Sequence, residues 1–260
     1  MFVPARVKRV LRRMIERTGA GARFFIEREH GVVGPFGRPD APWNCAVLES
    51  ADEVAKSLAQ VRRLGLPPMA DLPKNWDSLA ALDLILRTTD KSARVFDAGG
   101  EWYSMILPWL FLYGYRHLTA GNLVFEETIR RGSIVYEHSD LTRTKFTDGS
   151  LDVVTCLSVI EHGVDLEAYF REMSRILRSG GLLVTSTDYL ETPVDTRGQV
   201  AYGVPIHVFS KEEIERALTL AARHGFALVS DLALHSKARV VRWEPFGLRY
   251  TFVVFALRKA

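Results

Sequence analysis

At 260 residues, 47% hydrophobic and 25% charged, the chain can bury one full core and has the make-up of an ordinary globular protein. Its 34 lysines and arginines against 31 acids leave a net charge of +3, too mild to mark a nucleic-acid binder, and no nucleic-acid partner is expected. Cys45 and Cys156 are too few and too far apart for a disulfide framework, and the longest apolar run, Met105 to Tyr115, carries Pro108 and is too short to span a bilayer. With no signal-peptide pattern, a cytoplasmic location is expected.

The chain opens on helical periodicity. From Val3 to Arg17 the apolar residues Val3, Val7, Val10, Leu11, Met14 and Ile15 recur at helical spacing, and Arg6, Lys8, Arg9, Arg12, Arg13 and Arg17 fill the other faces. Such a basic amphipathic helix is a candidate contact with an anionic membrane surface; packing on the domain or on a second subunit, as in a homodimer, is the competing reading. Gly19 and Gly21 end the helix, and the Gly- and Pro-rich stretch from Gly31 to Pro42 reads as an irregular connection. A second helix begins at Ser50, which has capping-box spacing to Glu53, and stops at Gly65; a third covers Trp76 to Arg87. Neither carries a chemical motif, so residues 1–75 read as a helical extension in front of a domain spanning 76–260.

Beyond Lys91 short strands alternate with helical sequence: Arg94–Asp97, Arg116–Ala120, Ser133–Glu137, Leu151–Leu157 and Gly181–Thr187. Only a loop separates Ala227–Leu234 from Tyr250–Leu257, which suits an antiparallel pair at the sheet edge. The predicted fold is α/β and Rossmann-like: a doubly wound, mostly parallel seven-stranded sheet with an antiparallel edge hairpin and an N-terminal helical extension.

Ligands of such sheets sit at the carboxyl ends of the strands. The first strand ends in Asp97-Ala98-Gly99-Gly100-Glu101, where glycines permit a sharp turn and close approach to a ligand. The fourth runs Leu151-Asp152-Val153-Val154-Thr155-Cys156-Leu157-Ser158-Val159-Ile160-Glu161-His162, and Ser174-Arg175-Ile176-Leu177-Arg178-Ser179-Gly180-Gly181 introduces the fifth, reading as a helix that closes on basic residues and a left-handed glycine cap.

With these motifs the chain, from roughly Trp76 onward, resembles the class I S-adenosylmethionine (SAM)-dependent methyltransferases, in particular the branch acting on small molecules, lipids and sugars. The resemblance implies SAM as cofactor. It places Asp97, Gly99, Gly100 and Glu101 around the methionine part, Asp140 and Leu141 at the adenine, Asn122 at the ribose and Ser158 beside the cofactor. Two positions depart from the pattern. Glu101, followed by Trp102 and Tyr103, replaces a second glycine, and Asn122 replaces a carboxylate, with Glu126 and Glu127 nearby as substitutes.

Methyl transfer from a sulfonium is an in-line displacement and needs no universal catalytic side chain. For a hydroxyl acceptor a base helps, and His162, Asp188 and His207 are the candidates. Each has a plainer role: Glu161-His162 as a helix start, Asp188 as a turn residue, His207 packed on Phe209. The segment from Asp188 to His207, with Tyr189, Glu191, Asp195, Arg197 and Tyr202, is long for a connection and suits an acceptor wall or lid. No His or Cys pair has ligand spacing, so no metal is expected, and no Gly-x-Gly-x-x-Gly loop suggests a nicotinamide cofactor. The function expected is methylation, most simply O-methylation, of a small-molecule, saccharide, glycan or lipid-linked acceptor. The alternative is a binding or scaffolding protein that keeps the fold without the chemistry.

Overall fold

The computed structural model describes residues 5–201 and 203–260. Val3 of the predicted first helix and Tyr202 of the long connection lie outside the described residues, as do the side chains of residues 5, 6 and 9.

In chain order the elements are α1 (Ala5–Glu16), α2 (Gly19–His30), β1 (Ala46–Val47), α3 (Ala51–Arg63), α4 (Lys74–Thr88), β2 (Arg94–Ala98), α5 (Ile106–Leu112), β3 (His117–Asn122), β4 (Ile129–Arg131) and β5 (Ile134–His138). They continue with β6 (Leu151–Leu157), α6 (Leu166–Ile176), β7 (Leu177–Tyr189), β8 (Val200–Ala201), β9 (Val204–Pro205), α7 (Lys211–Arg223), β10 (Phe226–Leu228), β11 (Val241–Trp243) and β12 (Leu248–Lys259).

The main sheet runs β1-β12-β7-β6-β2-β3-β5-β4, with β10 and β11 also on β12; β2, β3, β5, β6 and β7 are mutually parallel and β12 is antiparallel to β7. Six of the seven predicted strands form its body; the predicted Ala227–Leu234 is reduced to the three-residue β10 paired with β12, and β1, β4 and β11 are further short strands. β12 is longer than predicted because it is paired on both sides, with β7 along one and β1, β10 and β11 along the other. Strand alternation sorts the apolar side chains into two layers. Val95, Val153, Leu182 and Val254 meet α3, α4 and α5, whereas Phe96, Val154, Leu183 and Val253 meet α6 and α7.

Several local expectations change. The glycines of 19–21 do not close off a helix but open α2, with Thr18 as N-cap accepting from the Gly21 N–H; a Cβ on Gly21 would overlap the Ile15 backbone, so glycine sets the tight α1–α2 corner. The helix before β7 ends at Ile176, and Gly180 (φ 76°) sits inside β7 at an irregularity in the β6–β7 ladder rather than in a helix cap. Arg175 and Arg178 are engaged elsewhere, Arg175 with Glu172 and Asp148 and Arg178 with Asp152.

A boundary at residue 75 has no structural counterpart. β1 pairs with β12 and α3 packs on α4, so residues from Ala46 onward share the core of the sheet domain. α4 begins two residues earlier than expected, at Lys74, and is buried from Asn75 to Ile85.

Candidate functional site

The register of the parallel strands builds the site. β2 lies between β3 and β6, with Asp97 opposite Ala120 on one side and Thr155 on the other. The Thr155 hydroxyl therefore donates to the Asp97 carboxylate at 2.7 Å, and burial pushes that carboxyl up to about 7 against this bond. The chain then turns at Gly99, with φ 84°. A Cβ on Gly99 would overlap Val159, and one on Gly100 would come within 2.1 Å of the Asp97 carboxylate, so both glycines are demanded by the loop's own packing.

No helix N-terminus follows this turn directly. A loop runs on to Met105 before α5, and Pro108 is tolerated in the first turn of that helix. In the loop the Glu101 N–H donates to the Ser104 hydroxyl, and burial raises the Glu101 carboxyl. Trp102 turns back over the sheet edge, stacked on Tyr136 with centroids 4.2 Å apart, while Tyr103 is largely exposed. Trp102 thus points away from the cleft, while Tyr103 stays at its rim.

Asn122 ends β3 with its side chain already engaged: Nδ2 donates to the Gly99 carbonyl at 2.8 Å and Oδ1 accepts from the Val124 N–H. It ties the second strand end to the first loop, a bond that a carboxylate at this position could not donate. Asp140 is exposed and forms a local turn, accepting from the Thr142 N–H and hydroxyl, while Leu141 is half-buried against the α6 side of the core.

At the end of β6 the backbone of Ser158 is left-handed, φ 54°, a conformation that costs a non-glycine residue energy. Its N–H donates to the Ser186 carbonyl, and its buried hydroxyl has no hydrogen-bond partner among the described residues. A strained backbone holding an unsatisfied hydroxyl is what a ligand-binding position looks like before its ligand is counted. Ser158 lines a narrow cleft together with Asp97, Gly99, Gly100, Lys74 and Asp77. The glycine loop and the unsatisfied Ser158 hydroxyl are the groups here that could hold a cofactor.

The opposite wall comes from α4, which the sequence reading left without chemistry. Asp77 lines the cleft, accepts from the Ser186 hydroxyl of β7 and from the Ser78 N–H, and burial pushes its carboxyl up to about 6 against those bonds and the charge of Lys74. Behind it, Glu161 accepts from the Thr187 hydroxyl at 2.9 Å, and burial pushes its carboxyl up to about 7 with the Lys74 charge opposing. Asp188 is also buried and lies well above the carboxylate range, through burial and the charge of Glu161. It pairs with Tyr250, two residues from its register partner Phe252 and on the same face. Burial lowers the pKa of Lys74, yet the surrounding Glu161, Asp71, Asp77 and Asp188 carry it above its usual value.

Glu161 is therefore no helix start: α6 begins five residues later, capped by Asp165. Nor is Asp188 a turn residue, since it lies within β7. His162 is half-buried beside Glu161, its pKa lowered by burial and by Lys74. His207 belongs to the wall through its backbone, whose N–H donates to the Glu161 carbonyl; its ring bonds Glu213, a member of the α7 capping box, and packs edge-on against Phe209. The long connection after β7 makes a small β8–β9 hairpin and returns to the site at His207 and at Phe209, whose N–H donates to the Asp188 carbonyl.

The doubly wound sheet, with a glycine loop at one strand end and a cleft spanning the next, has the fold of the class I SAM-dependent methyltransferases, whose cofactor is SAM. The methyltransferase-domain family model matches residues 117–185, from β3 to the middle of β7. A sterol 24-C-methyltransferase of Aspergillus fumigatus, erg6, is 24% identical over 110 residues, 40% of this chain; the match spans only 29% of that relative's length.

Among solved structures, the geranyl diphosphate C-methyltransferase of Streptomyces coelicolor superposes with a TM-score of 0.53 at 18% identity, covering 92% of this chain and 98% of that one. The 1,6-didemethyltoxoflavin-N1-methyltransferase of Burkholderia thailandensis gives 0.52 at 18% identity, covering 80% and 86%. Both were crystallised with S-adenosylhomocysteine. The [4+2]-cyclase SpnF has a TM-score of 0.50 at 16% identity, covering 80% and 93%.

Proposed function

We propose that the protein transfers the SAM methyl group to a hydroxyl of a small-molecule acceptor, a saccharide or a lipid-linked molecule, with Asp77 as the base. The observation that carries this reading is the placement of Asp77 on the cleft wall facing the glycine loop, with a carboxyl held near 6. A general base is most effective when its pKa lies near the working pH. SAM, when bound, supplies an electrophilic methyl group. The chain's own residues do the rest: Asp97, Gly99, Gly100 and Ser158 hold the cofactor, Asp140 and Leu141 receive its adenine, and Glu101 and Asn122 shape the loop around it. Asp77 takes the acceptor proton while Lys74 and Asp71 tune it. Among the residues expected as bases, Asp188 acts here on Lys74 and Glu161 rather than on the acceptor, and His162 and His207 frame Glu161.

The activities for which the relatives are named support a small acceptor, among them a sterol, a terpenoid diphosphate and a heterocycle. One neighbour is named for a cyclisation, so the fold by itself leaves the reaction open, and the alternative of a non-catalytic binding or scaffolding protein is separated by a titration. Calorimetry with SAM and S-adenosylhomocysteine is expected to show binding of both. Absence of binding at high cofactor concentration overturns the enzyme reading. Incubation with methyl-labelled SAM and NMR of the product then tells transfer to oxygen from transfer to carbon or nitrogen.

A further inference from the structure

The amphipathic helix α1 is mounted the wrong way round for a packing helix. A surface helix normally turns its apolar stripe to the core. Here Val7, Val10, Leu11, Met14 and Ile15 are 44–61% exposed, and the polar edge faces the protein. Glu16 and Arg12 sit on that edge. Arg12 bonds Glu16 and Glu29 and lies over the Phe25 ring, Arg131 bridges Glu16 and Glu29, and the Gly132 N–H donates to the Glu16 carbonyl at 2.7 Å. Burial raises the Glu29 carboxyl, but the hydrogen bonds and charges of Arg131 and Arg12 outweigh it and hold it below its usual value, as expected for a working ion pair. α2 supplies a firm base, with Ala22 and Ile26 fully buried.

The stripe is flanked by cations. Lys8 is exposed on one side and Arg13 and Arg17 on the other, Arg13 in a solvent-exposed ion pair with Glu127 at 2.9 Å; Arg6 and Arg9 add two more in sequence. Apolar surface bordered by basic side chains complements an anionic lipid surface: the apolar groups enter the acyl boundary while the cations meet headgroups. A second copy of the chain would present these cations to their own like, which opposes association.

The location gives the surface a use. Glu29 and Arg131, which fasten α1, also line an open groove with Met69, Leu72, Trp102 and Met105. Met69, Tyr103 and Met105 belong both to this groove and to the cleft containing Asp77. We propose that α1 docks the protein on anionic bilayers, setting the groove at the membrane so that an amphiphilic acceptor reaches the cleft from the lipid phase. The docking is independent of the methyltransferase reading; only the route of the acceptor rests on it.

The test is co-sedimentation of the full chain with vesicles of phosphatidylglycerol mixed with phosphatidylcholine, and with vesicles of phosphatidylcholine alone, at low and high salt. Binding to the anionic vesicles that weakens with salt is expected. Leu11→Glu should abolish it while circular dichroism and the cofactor titration stay unchanged, because this side chain is on the surface. Arg13→Gln with Arg17→Gln should weaken it about fivefold per cation removed. No binding to anionic vesicles at low salt overturns the proposal, as does equal binding to both vesicle types. So does a dimer in sedimentation velocity that Leu11→Glu dissociates. Cofactor binding without vesicle binding removes the docking alone, and vesicle binding without cofactor binding removes only the acceptor route.

Discussion

The cleft and α1 break the ordinary sorting of side chains in opposite directions. Around the ends of β6 and β7 the chain buries Asp77, Asp97, Glu161 and Asp188 where apolar residues would be more stable, whereas α1 exposes an apolar stripe where charge would be more soluble. The cleft's irregularity is supported on every side, with each of those carboxylates accepting a hydroxyl bond, from Ser186, Thr155, Thr187 and Tyr250 respectively. The stripe of α1 has no such partners inside the protein. A buried irregularity is completed by the fold; an exposed one needs something outside it.

The sharpest way to break this comparison is Asp97→Asn. The folded carboxyl sits near 7 against an ordinary 3.8, so the folded protein keeps a proton that the unfolded chain releases, and stability is lost as pH rises from about 4 to about 7. The variant escapes that loss and should gain up to about 4 kcal/mol over wild type near pH 8, with little gain near pH 4. Thermal midpoints across this range measure it; a difference that does not change with pH means the carboxyl is not buried as described.

Next is Asp77→Asn, expected to lower kcat/KM about 100-fold and to erase a rise in rate through pH 6, with SAM affinity unaltered. Steady-state kinetics against pH, beside calorimetry, tell a lost base from a lost cofactor site. Gly100→Ala should cost about 2 kcal/mol of stability, since the new Cβ meets the Asp97 carboxylate and the loop must shift. Denaturant titration reads this directly.

Asn122→Asp separates two roles of one residue. As a tie to the Gly99 carbonyl it should lose its donor and weaken SAM binding about fivefold, roughly the worth of one hydrogen bond. Tighter binding by calorimetry would instead assign the position to the ribose. The smallest effect belongs to α1: Leu11→Ser is expected to change stability by less than about 0.5 kcal/mol, because the side chain is already half in solvent. A loss of 2 kcal/mol or more in thermal unfolding would place the stripe against the protein after all.

Local signals carried much of the fold. Strand alternation in Val95-Phe96, Val153-Val154 and Leu182-Leu183 is visible in the sequence because one backbone period sends neighbours to opposite layers. The capping spacing of Ser210 and Glu213 is formed as a full box. α2 was missed because two glycines in its first turn look like a terminator, and only the close approach to Ile15 explains them.

In the site, the glycine loop and the end of β6 could be read in advance because a tight turn at a strand end is written in contiguous residues. Lys74 and Asp77 could not. They look like ordinary polar positions on a helix, and Tyr250 like an edge-strand aromatic; nothing in their neighbours sets them apart. Their meaning comes from Coulomb interactions and burial shared with Glu161 and Asp188, residues more than 80 positions from Lys74 and Asp77. The sequence by itself determined the strands, their alternation, the turn after Asp97 and the amphipathic character of α1. Tertiary structure alone decided which charges are buried together and which way α1 faces, because both depend on what lies across a gap in space rather than along the chain.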